Sequence, residues 1–199
     1  MGVGTTILTG ANSYSGATLI NSGALQIGAG GMSGSLGSGV VVNNGALIFN
    51  RAGDVVVANT ISGAGAVSIL GEGTTVFTGA NTFSGGTTVG VGAMLSIPSS
   101  IALGSGSLVL AGGASVPASL KVTGTMTINN AVSVSGDPVF DIAAGATVTI
   151  ANPIVNGASA GDVVVQGGGA LALSAVNAYT GSTTVAAGST LALRGAGSI

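Results

Sequence analysis

Residues 4–16, Gly-Thr-Thr-Ile-Leu-Thr-Gly-Ala-Asn-Ser-Tyr-Ser-Gly, recur at residues 73–85 as Gly-Thr-Thr-Val-Phe-Thr-Gly-Ala-Asn-Thr-Phe-Ser-Gly. A looser third copy occupies residues 169–181. In each copy an asparagine is followed two residues later by an aromatic residue and then by Ser or Thr and Gly. These repeat positions are Asn12, Tyr14 and Gly16, then Asn81, Phe83 and Gly85, then Asn177, Tyr179 and Gly181. Self-similarity of this kind predicts an architecture in which one unit stacks on the next.

Each copy continues into further short strands. A second apolar strand is predicted at residues 17–20, 87–91 and 183–186, and a third at 24–27, 93–97 and 189–193. The third strands alternate between large apolar residues and small or polar ones, which is typical of a strand with one buried face. Corners rich in Gly, Asn and Ser separate the strands, because these residues tolerate turn conformations.

The composition narrows the class of protein. Of 199 residues, 38 are glycine, 46% are hydrophobic, 4% are charged and 3% are aromatic. Disordered chains combine low hydrophobicity with high net charge, whereas this chain is hydrophobic and has few charged residues. Gly, Ser, Thr or Asn interrupts every apolar run, so a membrane-spanning helix of ~20 apolar residues is not expected. We therefore expect a folded β protein without membrane insertion.

The residue types also restrict the chemistry. The chain has no Cys and no His, so neither a cysteine–histidine zinc site nor a Ser-His-acid triad is possible. The chain has only three Lys and Arg residues in total, which are too few to bind a nucleic-acid backbone. We expect no catalytic residues, no metal and no cofactor.

We predict an all-β fold, a parallel β-solenoid of roughly 8–10 coils and about 40–50 Å in length. Six aromatic residues are too few for two thick packed sheets, whereas Val, Ile, Leu and Ala suit a narrow tube. Asn-Gly corners also occur in hairpins, so an antiparallel meander is the structural alternative. Residues 1–199 are treated as one solenoid segment, with repeat-like parts at 4–97 and 167–193 and divergent coils at 98–166.

The units at residues 8–18 and 77–89, with the spacer-like stretch at 34–63, resemble the autotransporter-associated β-strand repeat. The resemblance implies a right-handed parallel β-helix in the passenger of a protein exported through the bacterial outer membrane. Such passengers are displayed on the cell surface or secreted, and often serve adhesion, autoaggregation or biofilm formation. Neither an export signal nor a translocation domain is evident, so we expect the chain to be a piece of a longer passenger.

Three functional hypotheses follow. The first is a structural and adhesive stalk, whose partners are neighbouring coils of the parent chain, further copies of itself, or a surface glycan or host protein. The second is an inert spacer that presents an enzyme or toxin located elsewhere in the parent. The third is a polysaccharide-cleaving β-helix enzyme that uses Asp137 and Asp141 as paired carboxylates.

The repeat positions carry two interpretations. The asparagines are expected at corners, with side chains bonded to local backbone rather than to a ligand. Tyr14, Phe83 and Tyr179 are expected to plug the tube or pack on a corner. The alternative is an aromatic stripe on which sugars stack.

Overall fold

Strands pair in parallel in the computed structural model, which describes residues 4–199. The fold is a β-solenoid of about nine turns with almost no helix. The turns differ in length. On one face, Thr5 is in register with Ala24, 19 residues later, whereas Leu108 is in register with Val132, 24 residues later. The predicted parallel solenoid is confirmed. The hairpin alternative is wrong, since the antiparallel contact within residues 4–199 is a single isolated bridge between Ala143 and Gly168.

The chain visits three faces in turn, and face 1 is an eight-stranded sheet. Its strands are β1 (Thr5–Leu8), β3 (Ala24–Ile27), β5 (Ala46–Phe49), β8 (Ala66–Ile69), β10 (Thr87–Val89), β12 (Leu108–Ala111), β15 (Val132–Gly136) and β18 (Ile154–Gly161). Face 2 is a seven-stranded sheet. Its strands are β6 (Val55–Val57), β9 (Thr74–Phe77), β11 (Met94–Ile97), β13 (Ser119–Val122), β16 (Val139–Ile142), β19 (Val163–Gln166) and β21 (Thr183–Val185).

Face 3 consists of two shorter sheets. The first contains β2 (Thr18–Ile20), β4 (Val41–Asn43) and β7 (Ile61–Ser62), and the second contains β14 (Met126–Ile128), β17 (Thr147–Ile150), β20 (Ala170–Leu173) and β22 (Thr190–Leu193). The turn before β14 carries instead the 3-10 helix Ser100–Leu103.

Hydrogen bonds continue face 3 across this interruption. The Thr82 amide donates to the Ile61 carbonyl at 2.8 Å, and the Asn81 amide donates to the Ile101 carbonyl at 2.9 Å. The 3-10 helix therefore takes the place of one strand in the stack.

The core follows from the alternation seen in the sequence. In β3 and β5 the second and fourth residues point inward and are buried, and the same register repeats in the following turns. Each buried aliphatic side chain contributes about 1.5–3 kcal/mol relative to its exposed state. All four phenylalanines are fully buried, and Phe49 on face 1 meets Phe77 on face 2 edge-to-face, with ring centroids 5.5 Å apart. The tube is thus filled by aliphatic residues stacked on one another and by a few aromatic rings.

A column of glycines lines the corner between faces 3 and 1. Gly23, Gly45, Gly65 and Gly85 lie in successive turns; the first three directly precede a strand of face 1, and Gly85 lies two residues before β10. A Cβ atom built on Gly45, Gly65 or Gly85 would overlap the backbone of the preceding glycine in the column. Part of the high glycine content is therefore needed for the close approach of successive turns at this corner.

Candidate functional site

The three repeat copies begin on three different faces of the solenoid. The first copy runs from β1 on face 1 through β2 on face 3 to β3 on face 1. The second runs from β9 through β10 to β11, which lie on faces 2, 1 and 2. The third runs from β20 through β21 to β22, which lie on faces 3, 2 and 3. Each copy therefore starts one face later in chain order than the copy before it.

This rotation separates the three aromatic positions. Tyr14 precedes a strand of face 3, Phe83 a strand of face 1 and Tyr179 a strand of face 2. Phe83 is fully buried, whereas Tyr14 is 38% exposed and Tyr179 is half-buried against the core. The three rings share neither a face nor a degree of exposure, so they do not form a stripe.

The repeat asparagines bond mainly to backbone in neighbouring turns. The buried Asn81 accepts from the Ile61 amide at 2.8 Å and donates to the Ala102 carbonyl at 2.7 Å, 20 and 21 residues away. It thereby ties three successive turns together.

The other two asparagines combine this role with a local one. Asn12 donates to the Ser35 carbonyl at 2.7 Å and to the nearby Gly10 carbonyl at 3.2 Å. Asn177 accepts from the Ile154 amide at 2.8 Å and donates to the nearby Ala175 carbonyl at 3.0 Å. The expected local bonds are therefore accompanied by longer-range ones.

Each aromatic position has a threonine four residues later. The hydroxyls of Tyr14 and Thr18 lie 2.8 Å apart, and those of Tyr179 and Thr183 lie 2.7 Å apart. In the second copy the pair is Phe83 and Thr87, and the buried Thr87 hydroxyl has no hydrogen-bond partner within residues 4–199. A tyrosine–threonine bond is therefore present in two copies and absent from the second.

The repeat glycines differ in how tightly they are packed. A Cβ atom on Gly85 would overlap the backbone of Gly65, and one on Gly181 would overlap Gly161 and the Asp162 carboxylate. A Cβ atom on Gly16 would meet nothing within 4 Å. One on Gly39 in the following turn, however, would overlap the Gly16 carbonyl oxygen. These glycines permit close stacking of turns.

Two further asparagines, which the sequence motif does not include, clamp the turn before them. The Asn59 amide donates to the carbonyls of Gly37 and Gly39 at 2.8 and 2.6 Å. The Asn130 amide donates to Gly104 and Gly106 at 3.2 and 2.6 Å. Both clamped stretches read Leu-Gly-Ser-Gly, at residues 36–39 and 103–106. The second occurrence lies in the stretch predicted to be divergent, and this recurrence is the signal that could have revealed the clamp.

Four of the five acidic residues lie at the corner between faces 1 and 2. They are Asp54, Glu72, Asp137 and Asp162. The Asp54 carboxylate accepts from the Thr74 amide at 2.7 Å, and that of Asp162 accepts from the Ser182 amide at 2.7 Å. Two of the four thus bond to the backbone of the following turn. Within residues 4–199 no group of three or more metal-ligating side chains is present.

Asp137 and Asp141, the candidate carboxylate pair, occupy different parts of the coil. Asp137 lies at the corner before β16, whereas Asp141 lies within β16, in register with Lys121 and Gln166.

Arg51 also lies at the corner between faces 1 and 2. Its guanidinium donates to the Met32 and Gly34 carbonyls, both at 2.6 Å. That arginine fastens the preceding corner.

A family model described as the passenger-associated-transport-repeat matches residues 1–27, 70–94 and 163–193. Together they cover less than half of the chain, and they are similar to autotransporter passenger repeats. They coincide with the three copies that start on successive faces, while residues 28–69 and 95–162 lie outside the matches. The similarity of these segments to autotransporter passenger repeats points to a protein that is displayed at the cell surface or is extracellular.

A relative from Brucella suis biovar 1 (strain 1330), the adhesin BmaC autotransporter, is 53% identical over 62 residues. The match covers 31% of this chain and 2% of the relative, so the chain spans only a small part of that protein's length. No solved structure matches the chain. No helix within residues 4–199 has the length and apolar character needed to cross a membrane.

Proposed function

We propose that this segment is a structural and adhesive stalk, which acts in adhesion, autoaggregation or biofilm formation by the parent passenger. The carrying observation is the combination of passenger repeats with a nearly uncharged, partly apolar solenoid surface. Low charge reduces repulsion between copies of the protein. The nine repeat positions serve turn stacking in this proposal, and none of them is catalytic.

The exposed aliphatic side chains support an interfacial role. Leu19 on face 3 is 63% exposed, Val56 on face 2 is 67% exposed, and Val91 at the corner between faces 1 and 2 is 55% exposed. Together with a surface of Thr, Ser and Asn, they offer many weak contacts over the length of the rod. The similarity to an adhesin autotransporter favours the same role.

The test uses bacteria that display the full parent protein. Replacing Leu19, Val56 and Val91 together by Glu adds repulsion without changing the length of the rod. We expect slower settling of the cells and weaker surface attachment, at unchanged surface display. The matched control replaces the same three residues by Thr, which is neutral and suits strands.

The spacer hypothesis predicts a different outcome. If the Glu variant settles and attaches like the parent, self-association through these three side chains is wrong and the spacer hypothesis is favoured. In-frame removal of residues 25–153, which joins Ala24 to Ile154 on the same face and in register, then tests whether stalk length matters. Substituting Asp137 and Asp141 and assaying polysaccharide cleavage tests the enzymatic alternative.

A further inference from the structure

A groove of about 500 Å³ lies on face 3, beside the 3-10 helix that interrupts the stack of strands. Its exposed lining comes from three consecutive turns: Thr82 in the first, Ile101 and Ser105 in the second, and Thr127 and Asn129 in the third. The volume lies within the range of about 300–1,000 Å³ that is usual for ligand sites. The groove lies where the 3-10 helix interrupts the strands of face 3.

The lining is polar but carries no charge. Hydroxyl groups of Thr82, Ser105 and Thr127 and the amide of Asn129 can each donate and accept hydrogen bonds. Ile101, 58% exposed, supplies an apolar surface among them. Among residues 4–199, no Lys, Arg, Asp or Glu lines the groove, so these residues offer no charged partner for phosphate, sulfate or carboxylate groups.

This chemistry complements a neutral sugar chain. Sugar hydroxyls also donate and accept, and the C–H face of a hexose ring packs on an aliphatic side chain. We propose that the groove binds a neutral glycan segment across Thr82, Ile101, Thr127 and Asn129. This site would supply one ligand class for the adhesive role and therefore rests on that proposed function.

The walls of the groove are fixed before any ligand arrives. On one side Asn81 holds the 3-10 helix through the Ala102 carbonyl at 2.7 Å. On the other side Asn130 holds its end through the Gly104 carbonyl at 3.2 Å. A preformed site avoids much of the entropy cost of ordering side chains on binding.

The same contacts argue against an extended peptide as the ligand. A peptide would bind most readily by adding a strand to a free sheet edge. Here the 3-10 helix occupies the turn between Asn81 and β14, since it bonds to Asn81 on one side and to Asn130 on the other. The edge of β14 that faces the groove is therefore not open to a new strand.

The experiment measures binding of neutral oligosaccharides to the 199-residue chain by calorimetry and saturation-transfer NMR. The probes are linear hexasaccharides of glucose, galactose and N-acetylglucosamine. We expect saturable binding of at least one of them, unchanged by raising the salt concentration, because no charge takes part. Replacing Thr127 and Asn129 together by Ala should weaken binding on the order of tenfold, through the loss of two hydrogen-bonding groups.

The matched control is Thr149→Ala, which alters the register partner of Thr127 one turn further along the same face and outside the groove. Both variants should keep the circular dichroism spectrum and melting temperature of the parent. Binding that responds equally to the control, that depends on salt, or that is absent for all three probes would overturn the proposal. Binding of an extended peptide at the groove, with no sugar binding, would overturn it as well.

Failure here can be separated from failure of the stalk function. If the Glu variant reduces cell settling while no hexasaccharide binds, the glycan site is wrong and the adhesive stalk stands. If hexasaccharides bind at the groove while the Glu variant settles normally, the glycan site stands and self-association through the exposed aliphatics is wrong.

Discussion

Phe83 lies four residues before Thr87, and its ring supplies no hydroxyl to the buried Thr87 side chain, which has no partner within residues 4–199. The other two copies place a tyrosine hydroxyl at this position, against Thr18 and Thr183. Thr87 also lies in a column of aliphatic side chains, in register with Val67 and Leu108. The second copy therefore retains a threonine whose hydroxyl partner is missing.

Thr87→Val should stabilise the protein. An unsatisfied buried hydroxyl costs about 1–3 kcal/mol, and valine has nearly the same shape. We expect the free energy of unfolding to rise by about 1 kcal/mol, measured by urea denaturation. The matched control is Thr183→Val, which breaks the bond to Tyr179 and should lower the free energy of unfolding. A decrease of equal size in both variants would contradict this account.

Gly65→Ala should destabilise the protein through steric overlap. The added methyl group would meet the Gly45 carbonyl and the Asn43 side chain in the preceding turn. Overpacking of this kind costs about 1–3 kcal/mol. Gly31→Ala is the control, because nothing lies within 4 Å of the added atom. Thermal melts should show a lower midpoint for the first variant and a nearly unchanged one for the second.

Asn81→Ala should cost more than Asn12→Ala. Removing the buried Asn81 amide leaves the Ile61 amide and the Ala102 carbonyl without their partner. Two such buried groups amount to at least about 2 kcal/mol. Asn12 is only half-buried, so water can replace its bonds, and we expect a loss of about 1 kcal/mol or less there. Equal losses in urea denaturation would show that burial does not decide the effect.

The isolated chain should associate through β1. Within residues 4–199 this strand pairs only with β3, and a cavity of about 670 Å³ beside it is lined by Leu8, Tyr14 and Leu25. Unpaired strand edges favour pairing with another chain. We expect sedimentation to show oligomers that grow with protein concentration. Ile7→Lys in β1 should reduce this association, since an edge lysine discourages strand pairing.

Ser68→Lys provides the comparison for that experiment. Ser68 occupies the same register position as Ile7 three turns further along face 1, on β8, which is paired on both sides. It should leave the oligomers unchanged. A strict monomer at high concentration for the unmodified chain would contradict the prediction.

The strands themselves could be predicted from the sequence. The third strand of the first copy is observed at Ala24–Ile27, as predicted, and the second strands differ from prediction by one or two residues. Alternation and glycine-rich corners act within a few residues, so they are visible in a linear sequence. The 3-10 helix at Ser100–Leu103 was not predicted, because its short apolar run, Ile101 to Leu103, does not differ in the sequence from that of a short strand.

The relations between turns could not be predicted in the same way. The Asn81 bonds reach residues 20 and 21 positions away, and which residues meet depends on the length of every intervening corner. Turn length on face 1 is not constant, as the pairs Thr5 with Ala24 and Leu108 with Val132 show. The number of residues between Asn12 and Asn81 therefore does not by itself show whether the two lie on the same face. The rotation of the copies emerges only from the full register.

That rotation has a mechanical consequence for the rod. A repeat copy that bent the axis slightly toward its own first face would bend it toward face 1, then face 2, then face 3 in the three copies seen here. Copies placed in this way would direct their bends toward different faces, so curvature would not accumulate toward any one of them.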